Sequence, residues 1–202
     1  MVTGFTPSGR ELWLTIDDGP DPVDTPEILD LLDAHGAKAT FFMIGSKAQK
    51  YPELVRAVVA RGHTIGNHTY SHPLKDFWCA GRKRVQRELD DSLEVLKRAG
   101  ADVHFFRSPV GIKNLFLKGC LSQRDLRCVA WTVRSGDTFA SGKETVIKRV
   151  LNNVKPGAII LMHEGDSVEK MIRIEALRAI LLGLYEQGFS CILPRQESLH
   201  YS

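Results

Sequence analysis

Short apolar runs of strand length alternate with amphipathic stretches at helical spacing along almost the whole chain, and few folds accept that rhythm. Leu12 to Ile16 is the first such run, and it stops at Asp17-Asp18-Gly19-Pro20. Thr25-Pro26 then reads as a helix start, with Thr25 as cap and Pro26 at the first helical position. Ile28, Leu31 and Leu32 share one face of that helix, and Gly36 ends it. Ala39 to Ile44 suits a strand buried on both faces. Pro52 opens a second helix, with Leu54, Val55, Val58 and Val59 inward and Gly62 at its close.

The alternation continues to the end. Thr64 to Asn67 reads as the third strand, Arg84 to Ala99 as a helix with Val85, Leu89, Leu93 and Leu96 on one side, and Val103 to Phe106 as the fourth strand. Cys128 to Val133 reads as the fifth strand, Glu144 to Leu151 as a helix, Ala158 to Met162 as the sixth strand, Ser167 to Gln187 as the longest helix and Phe189 to Leu193 as the seventh strand. Residues 108–127 are the least patterned; Leu115, Leu117 and Leu121 allow a short helix there. Seven strands separated by helices imply a parallel α/β fold with right-handed crossovers, either a doubly wound sheet or a barrel. The 202 residues form one domain, with no repeat, low-complexity tract or linker-like shift in composition.

Composition narrows the function classes. Hydrophobic residues make up 43% and charged residues 25%, the balance of an ordinary soluble protein. The net charge of +3 is a mild excess spread along the chain, so nucleic acid is not an expected partner. Arg82, Lys83, Arg84 and Arg87 form the densest basic cluster. A solvated helix face explains it, and peripheral contact with a membrane or a lipid-linked substrate is the alternative. No apolar run reaches the ~18 residues of a membrane helix, and Met1 to Arg10 lacks a secretory core. The expected compartment is cytoplasmic as the sequence stands, and extracytoplasmic if an export segment has been removed. Cys79, Cys120, Cys128 and Cys191 form no CxxC pair and are expected as free thiols.

The polar residues fall in a pattern. Strand one ends in Asp17-Asp18, strand three in His68 with His72 four residues on, and strand four in Arg107. Asp137 lies just past strand five, and strand six ends in His163. In parallel α/β folds these strand ends gather on one face, where active sites sit. His68 and His72 can turn two imidazoles to one side, and Pro73 biases residue 72 away from helix, so residues 68–72 are expected as a tight turn. One aspartate of the Asp17-Asp18 pair can complete a three-ligand site for a divalent cation, which leaves a position open for water. Adjacent carboxylates repel, so a cation on one and Arg107 on the other would balance them.

With those residues in view, Leu14-Thr15-Ile16-Asp17-Asp18-Gly19-Pro20 resembles the first motif of the NodB-type polysaccharide deacetylases, carbohydrate esterase family four. His68-Thr69-Tyr70-Ser71-His72 resembles their metal-binding second motif. Arg107-Ser108-Pro109 looks like the third, Trp131 through Asp137 the fourth, and Leu161-Met162-His163 the fifth. The resemblance implies a distorted (β/α) barrel with about seven parallel strands, and a metal-dependent enzyme that removes the N-acetyl or other N-acyl group of an amino sugar in a glycan. It implies Asp17 as general base, Asp18, His68 and His72 as metal ligands, Arg107 as the residue that orients Asp17, and His163 as general acid tuned by Asp137. It also implies that Leu161 lines the acyl pocket and that the segment at Pro109 and Val110 offers a backbone N–H to the oxyanion. The expected cofactor is a divalent metal, zinc first, with cobalt, nickel, manganese or iron as alternatives.

The chain departs from the family pattern at three positions. Val110 stands where a tyrosine is usual, Thr138 where a tryptophan is frequent, and Arg134 where another acid is common. Trp78, in the loop after His72, is the tryptophan best placed by sequence to form a substrate wall. The competing expectations are a ferrous-iron oxygenase, since two histidines and a carboxylate also suit iron, and a catalytically impaired glycan-binding relative.

Overall fold

A computed structural model describes residues 1–139, 142–165 and 170–202. In chain order the elements are β1 (Val2–Phe5), β2 (Glu11–Gly19), α1 (Asp24–Ala34), β3 (Ala39–Met43), α2 (Gly45–Lys50), α3 (Pro52–Ala60), β4 (Thr64–Asn67), α4 (Arg82–Arg98), β5 (Phe105–Phe106), α5 (Leu117–Ser122), β6 (Arg127–Cys128), β7 (Val133–Arg134), α6 (Lys143–Leu151), β8 (Ile159–His163), α7 (Lys170–Glu186), β9 (Ser190–Cys191) and β10 (Leu199–Tyr201).

The main sheet runs β6-β5-β4-β3-β2-β8-β7 with every pair parallel. β2 is the longest strand and is shared: Glu11 and Leu12 pair with β9, and Trp13 to Asp17 pair with β8. The strand order itself forces the sheet to curl. β6 sits at one edge and β7 at the other, yet only residues 129–132 separate them. Six inter-strand gaps of ~4.8 Å would hold the edges of a flat sheet roughly 29 Å apart. The five residue steps from Cys128 to Val133 reach at most about 18 Å. The two edges therefore come round toward each other, and the linking segment spans the seam.

The seam corrects the expected fifth strand. Cys128 to Val133 is not one continuous strand: its start pairs with β5 and its end with β8, on opposite edges. Between them Val129 bridges to Val2, and the carbonyls of Val129 and Ala130 accept hydrogen bonds from the Arg107 guanidinium. With β6 and β7 counted as the two ends of that segment, the seven-strand parallel barrel stands.

Side chains alternate across the curled sheet. Leu12, Leu14 and Ile16 of β2, Phe41 and Met43 of β3, and Ile160 and Met162 of β8 face the surrounding helices in the larger core. Trp13, Phe42, Phe105, Val129 and Ile159 fill the barrel interior, where Val2, Phe5 and Leu199 of the antiparallel β1–β10 pair join them. Both faces are covered, which is why the strands read as continuous apolar runs. Gly66 of β4 is needed in this interior, because a Cβ there would meet the Phe42 ring at 2.4 Å.

Several local expectations change. α1 contains Thr25 rather than starting on it: Asp21 Oδ1 accepts the N–H groups of Val23 and Asp24, so Asp21 terminates the preceding loop. The Thr25 hydroxyl instead accepts the Asp21 N–H and donates to Glu164. Val59 of α3 faces outward, and the fourth and seventh strands shrink to two residues each. α2 and the β1–β10 pair were not expected. The polar α2 has no apolar stripe to read; it forms because Gly45 and Ser46 donate backbone N–H groups to Thr69 and Tyr70. The start of the expected helix from Ser167 lies outside the described residues. All four cysteines are free. Among the described residues, no helix is long and apolar enough to cross a membrane. In the basic cluster, Arg84 pairs with both oxygens of Asp76 and Arg82 sits over the Phe116 ring, the engagements of an ordinary helix face.

Candidate active site

The site grows out of the barrel's inward-facing residues. Along β2 the inward series is Trp13, Thr15 and Asp17, and along β8 it is Ile159, Leu161 and His163, the two series in register. Their lower members are core, and their upper members are polar and open into a groove. Arg107, just after β5, lies fully buried beneath that groove. Its Nη1 donates to Asp17 Oδ1 at 2.7 Å and to Thr15 Oγ1 at 2.7 Å, and its face covers the Phe42 ring at 4.3 Å. Nε and Nη2 go to the seam carbonyls of Val129 and Ala130. One guanidinium thus ties the base of the groove to the barrel closure. Thr15 was not singled out by sequence; its only signal is its place two residues before Asp17, on the same strand face.

Asp18 turns away from the strand with φ 74° and meets the two histidines. Its Oδ1 lies 3.4 Å from His68 Nε2 and 3.2 Å from His72 Nε2, and the imidazole centroids are 4.9 Å apart. Asp17 Oδ2 is 3.8 Å from His68 Nε2. His68 Nδ1 lies 2.8 Å from the Arg107 carbonyl. A carbonyl can only accept, so a proton sits on Nδ1, the tautomer in which Nε2 is left to offer a lone pair to a cation. That lone pair points at a carboxylate oxygen that is buried and has no hydrogen-bond partner. Acceptor facing acceptor in a buried position is unfavourable unless a cation lies between them. Asp18, His68 and His72 form the one cluster among the described residues whose acid and imidazole atoms converge in this way.

Electrostatics agree with the geometry. Burial would raise the Asp18 carboxyl, but proton-bearing imidazoles would stand in for a cation, His68 first by hydrogen bond and charge and then His72 and His163 by charge, and hold it well below the usual carboxylate range. Burial, reinforced by neighbouring His68, pushes His72 down to about 4, which keeps its ring neutral and able to donate a lone pair. His163 moves the other way. Burial would lower it, but the hydrogen bond and charge of Asp137 raise it. Asp137 Oδ1 lies 2.7 Å from His163 Nδ1, and Oδ2 accepts the His163 backbone N–H at 2.8 Å, so the acid grips the histidine twice. His163 Nε2 is left for the groove.

Backbone strain concentrates here. Among the described residues, Asp18, Thr69, His72 and Val110 are four of the five non-glycine residues with positive φ, the other being Asp125 in a remote turn. Such conformations cost about 1–3 kcal/mol each and persist where the surroundings impose them. The turn at residues 68–72 is non-helical, as Pro73 requires.

The groove has a volume of about 480 Å³, within the range of small-ligand sites. Asp17, Asp18, His68, His72 and His163 all line it, and Leu161, Val110 and Trp131 give it an apolar wall. Arg107, Asp137 and Pro109 stand behind the lining residues. Trp78 does not join them: it is 65% exposed on a short 3-10 turn and lies outside the groove, so the expected aromatic wall falls to Trp131. Val110 is exposed at the rim, and Thr138 also lines the groove. A larger cleft of about 910 Å³ lies across Ser108 and Trp131, but it contains none of the five clustered acids and histidines.

Residues 5–128 match the family model described as polysaccharide deacetylase. The chain belongs to the polysaccharide deacetylase family. It is 35% identical to a chitooligosaccharide deacetylase of Sinorhizobium fredii, over 88% of this chain and 87% of that one. It is 37% identical to a peptidoglycan-N-acetylglucosamine deacetylase of Bacillus cereus, over 88% of this chain and 64% of the relative. Among solved structures, a peptidoglycan N-acetylglucosamine deacetylase in complex with a naphthyl-N-hydroxybenzamide superposes with a TM-score of 0.88 at 33% identity, covering 99% of this chain and 92% of that one. As a polysaccharide deacetylase the protein is a hydrolase of the carbohydrate deacetylase class, and the oxygenase alternative is set aside.

Proposed function

We propose that this polysaccharide deacetylase hydrolyses the N-acetyl group of N-acetylglucosamine units in a chitooligosaccharide or peptidoglycan strand, with a divalent cation, zinc first, held by Asp18, His68 and His72. The observation that carries the reading is the buried, unpartnered Oδ1 of Asp18 facing two imidazole Nε2 atoms. Two nitrogens and one oxygen are a donor set that suits zinc and leaves room for water and a carbonyl oxygen. When bound there, the cation would supply Lewis acidity, acidifying a water and polarising the amide carbonyl.

The chain's own residues supply the proton transfers. Asp17 has one oxygen committed to Arg107 and the other directed toward the cation site, so Oδ2 accepts the proton of the attacking water. The C–O bond forms at the carbonyl carbon as the carbonyl π pair moves to oxygen, and the backbone N–H at Val110 donates to that oxyanion, whose charge a bound cation would share. Protonated His163 donates from Nε2 to the amine nitrogen as the C–N bond breaks, and Asp137 keeps the ring charged and turned. The products are acetate and the free amino sugar. Leu161 and Trp131 enclose the acetyl methyl.

The test is acetate and free-amine release from N-acetylglucosamine oligomers and from peptidoglycan, before and after chelation, with zinc added back. Activity that vanishes on chelation and returns with zinc is expected. Release that is indifferent to chelator removes the cation from the reaction. Tight glycan binding with no acetate from the zinc-loaded protein revives the impaired-relative alternative.

A further inference from the structure

We infer that Glu88 is a positioning residue for the cation site, acting through the backbone of the turn that bears His68 and His72; this rests on the cation reading above. The turn must hold Thr69 at φ 65° and His72 at φ 53°, both in the left-handed region. Residues with a Cβ leave that region unless something fixes them. The fixing is done amide by amide. The Thr69 N–H donates to Asn67 Oδ1 at 2.8 Å, and the His72 N–H donates to Thr69 Oγ1 at 3.1 Å. The two between them, Tyr70 N–H at 3.0 Å and Ser71 N–H at 2.8 Å, both donate to Glu88 Oε2. The Ser71 hydroxyl donates to Glu88 Oε1 at 2.6 Å. One carboxylate thus closes three bonds to the middle of the metal-binding turn, and bonds to an ionised acceptor are stronger than neutral ones.

α4 is the platform for this grip. Glu88 projects from its second turn, and the next residue, Leu89, accepts the Asn67 side-chain N–H through its carbonyl at 3.0 Å. α2 closes the other side, with the Gly45 and Ser46 N–H groups on the Thr69 and Tyr70 carbonyls. A Cβ at Gly45 would come within 2.8 Å of both Ser92 Cα and the Tyr70 ring, which shows how closely the turn is clasped. The spacing between His68 and His72 Nε2 is therefore set from outside the site, and Glu88 is the only charged group among the described residues that touches the turn's backbone.

The experiment compares the wild-type protein, Glu88→Ala and Glu88→Gln, each well below its melting temperature. Zinc affinity is read by competition with a chromogenic chelator, and exchange of the Tyr70 and Ser71 amides by hydrogen–deuterium exchange. Glu88→Ala should weaken zinc about 10- to 100-fold, the range typical of lost outer-shell partners, and should unprotect both amides while the core stays protected. Glu88→Gln keeps an oxygen for both N–H groups and should restore most of the affinity. An Ala variant that binds zinc as tightly as wild type overturns the inference and leaves the cation site standing. A wild-type protein that binds no zinc overturns both, and the amide exchange then still shows separately whether Glu88 holds the turn.

Discussion

Replacing Arg107 with methionine should be among the most damaging single changes in this protein, and its cost can be worked from its contacts. Arg107 is 1% exposed and donates to Asp17, Thr15, Val129 and Ala130. Methionine fills a similar volume but leaves the buried Asp17 carboxylate without its cation, a loss of about 3–5 kcal/mol for a pair of this kind. The seam carbonyls lose their donors as well, at roughly 1 kcal/mol or more each where water does not replace them. Together about 5–7 kcal/mol is a large part of the stability of a domain this size. At ~2–4 °C per kcal/mol the melting temperature should fall by about 10–28 °C. Arg107→Lys should recover part of that, since an ammonium can serve Asp17 and Thr15 but not both seam carbonyls. The decisive assay is a double-mutant cycle in denaturant. If the orphaned charge dominates, Asp17→Asn added to Arg107→Met should restore at least about 2 kcal/mol. A methionine variant within about 3 °C of wild type, or strict additivity in the cycle, refutes the reasoning.

Asp17→Asn alone should bind zinc normally and lose acetate release by roughly 100-fold or more, whereas His68→Ala should lose both; zinc titration beside turnover separates them. Asp137→Asn should move the alkaline limb of the zinc-loaded enzyme's rate. Asp137 raises His163, so the charged acid is available below that raised pKa and lost as pH climbs through it; without the carboxylate the limb should shift to lower pH, and an unmoved limb would contradict His163 as proton donor. Glu164 is buried and pushed up to about 8, first by burial and then by Asp24 and Asp21. The folded chain therefore holds a proton that the unfolded chain releases above about 4.5, so stability should decline by a few kcal/mol as pH rises from 5 to 8 and then level off. Glu164→Gln should flatten that decline in urea unfolding at several pH values, and equal slopes in the two proteins would show that Glu164 is ionised in the fold.

Much of the barrel and the centre of the site was legible because both depend on residue type at strand ends. Trp13, Thr15 and Asp17 alternate with Leu12, Leu14 and Ile16, and a buried parallel strand delivers its last polar residue to the groove whichever helix follows it. The same logic placed His68, Arg107, Asp137 and His163. What could not be read was where one residue's partners lie on two different edges. The segment from Cys128 to Val133 has the apolar character of a strand, but no pattern in it announces that its ends belong to opposite edges of the sheet. α2 was equally silent, because its hydrogen bonds to residues 69 and 70 decide its fold rather than its own propensity. Trp78 misled because loop position says nothing about which way a short turn faces.

Glu88 marks the boundary of what residue type can reveal. On α4 it reads as one more charge on a solvated helix face, and its neighbours Arg87 and Asp90 give no reason to single it out. Its partners are backbone amides, and every non-proline residue has one, so the sequence of the turn contains no complementary letter. The proposed metal ligands are visible because the chemistry of a cation demands particular side chains. The residues that hold those ligands in a strained turn need only offer an oxygen at the right place, and that place exists only after α4 has docked beside β4. A deacetylase site can therefore keep its ligand motifs intact and still lose cation affinity through a substitution some twenty residues away in sequence, which is the consequence that separates the Glu88 reading from one in which the histidines suffice by themselves.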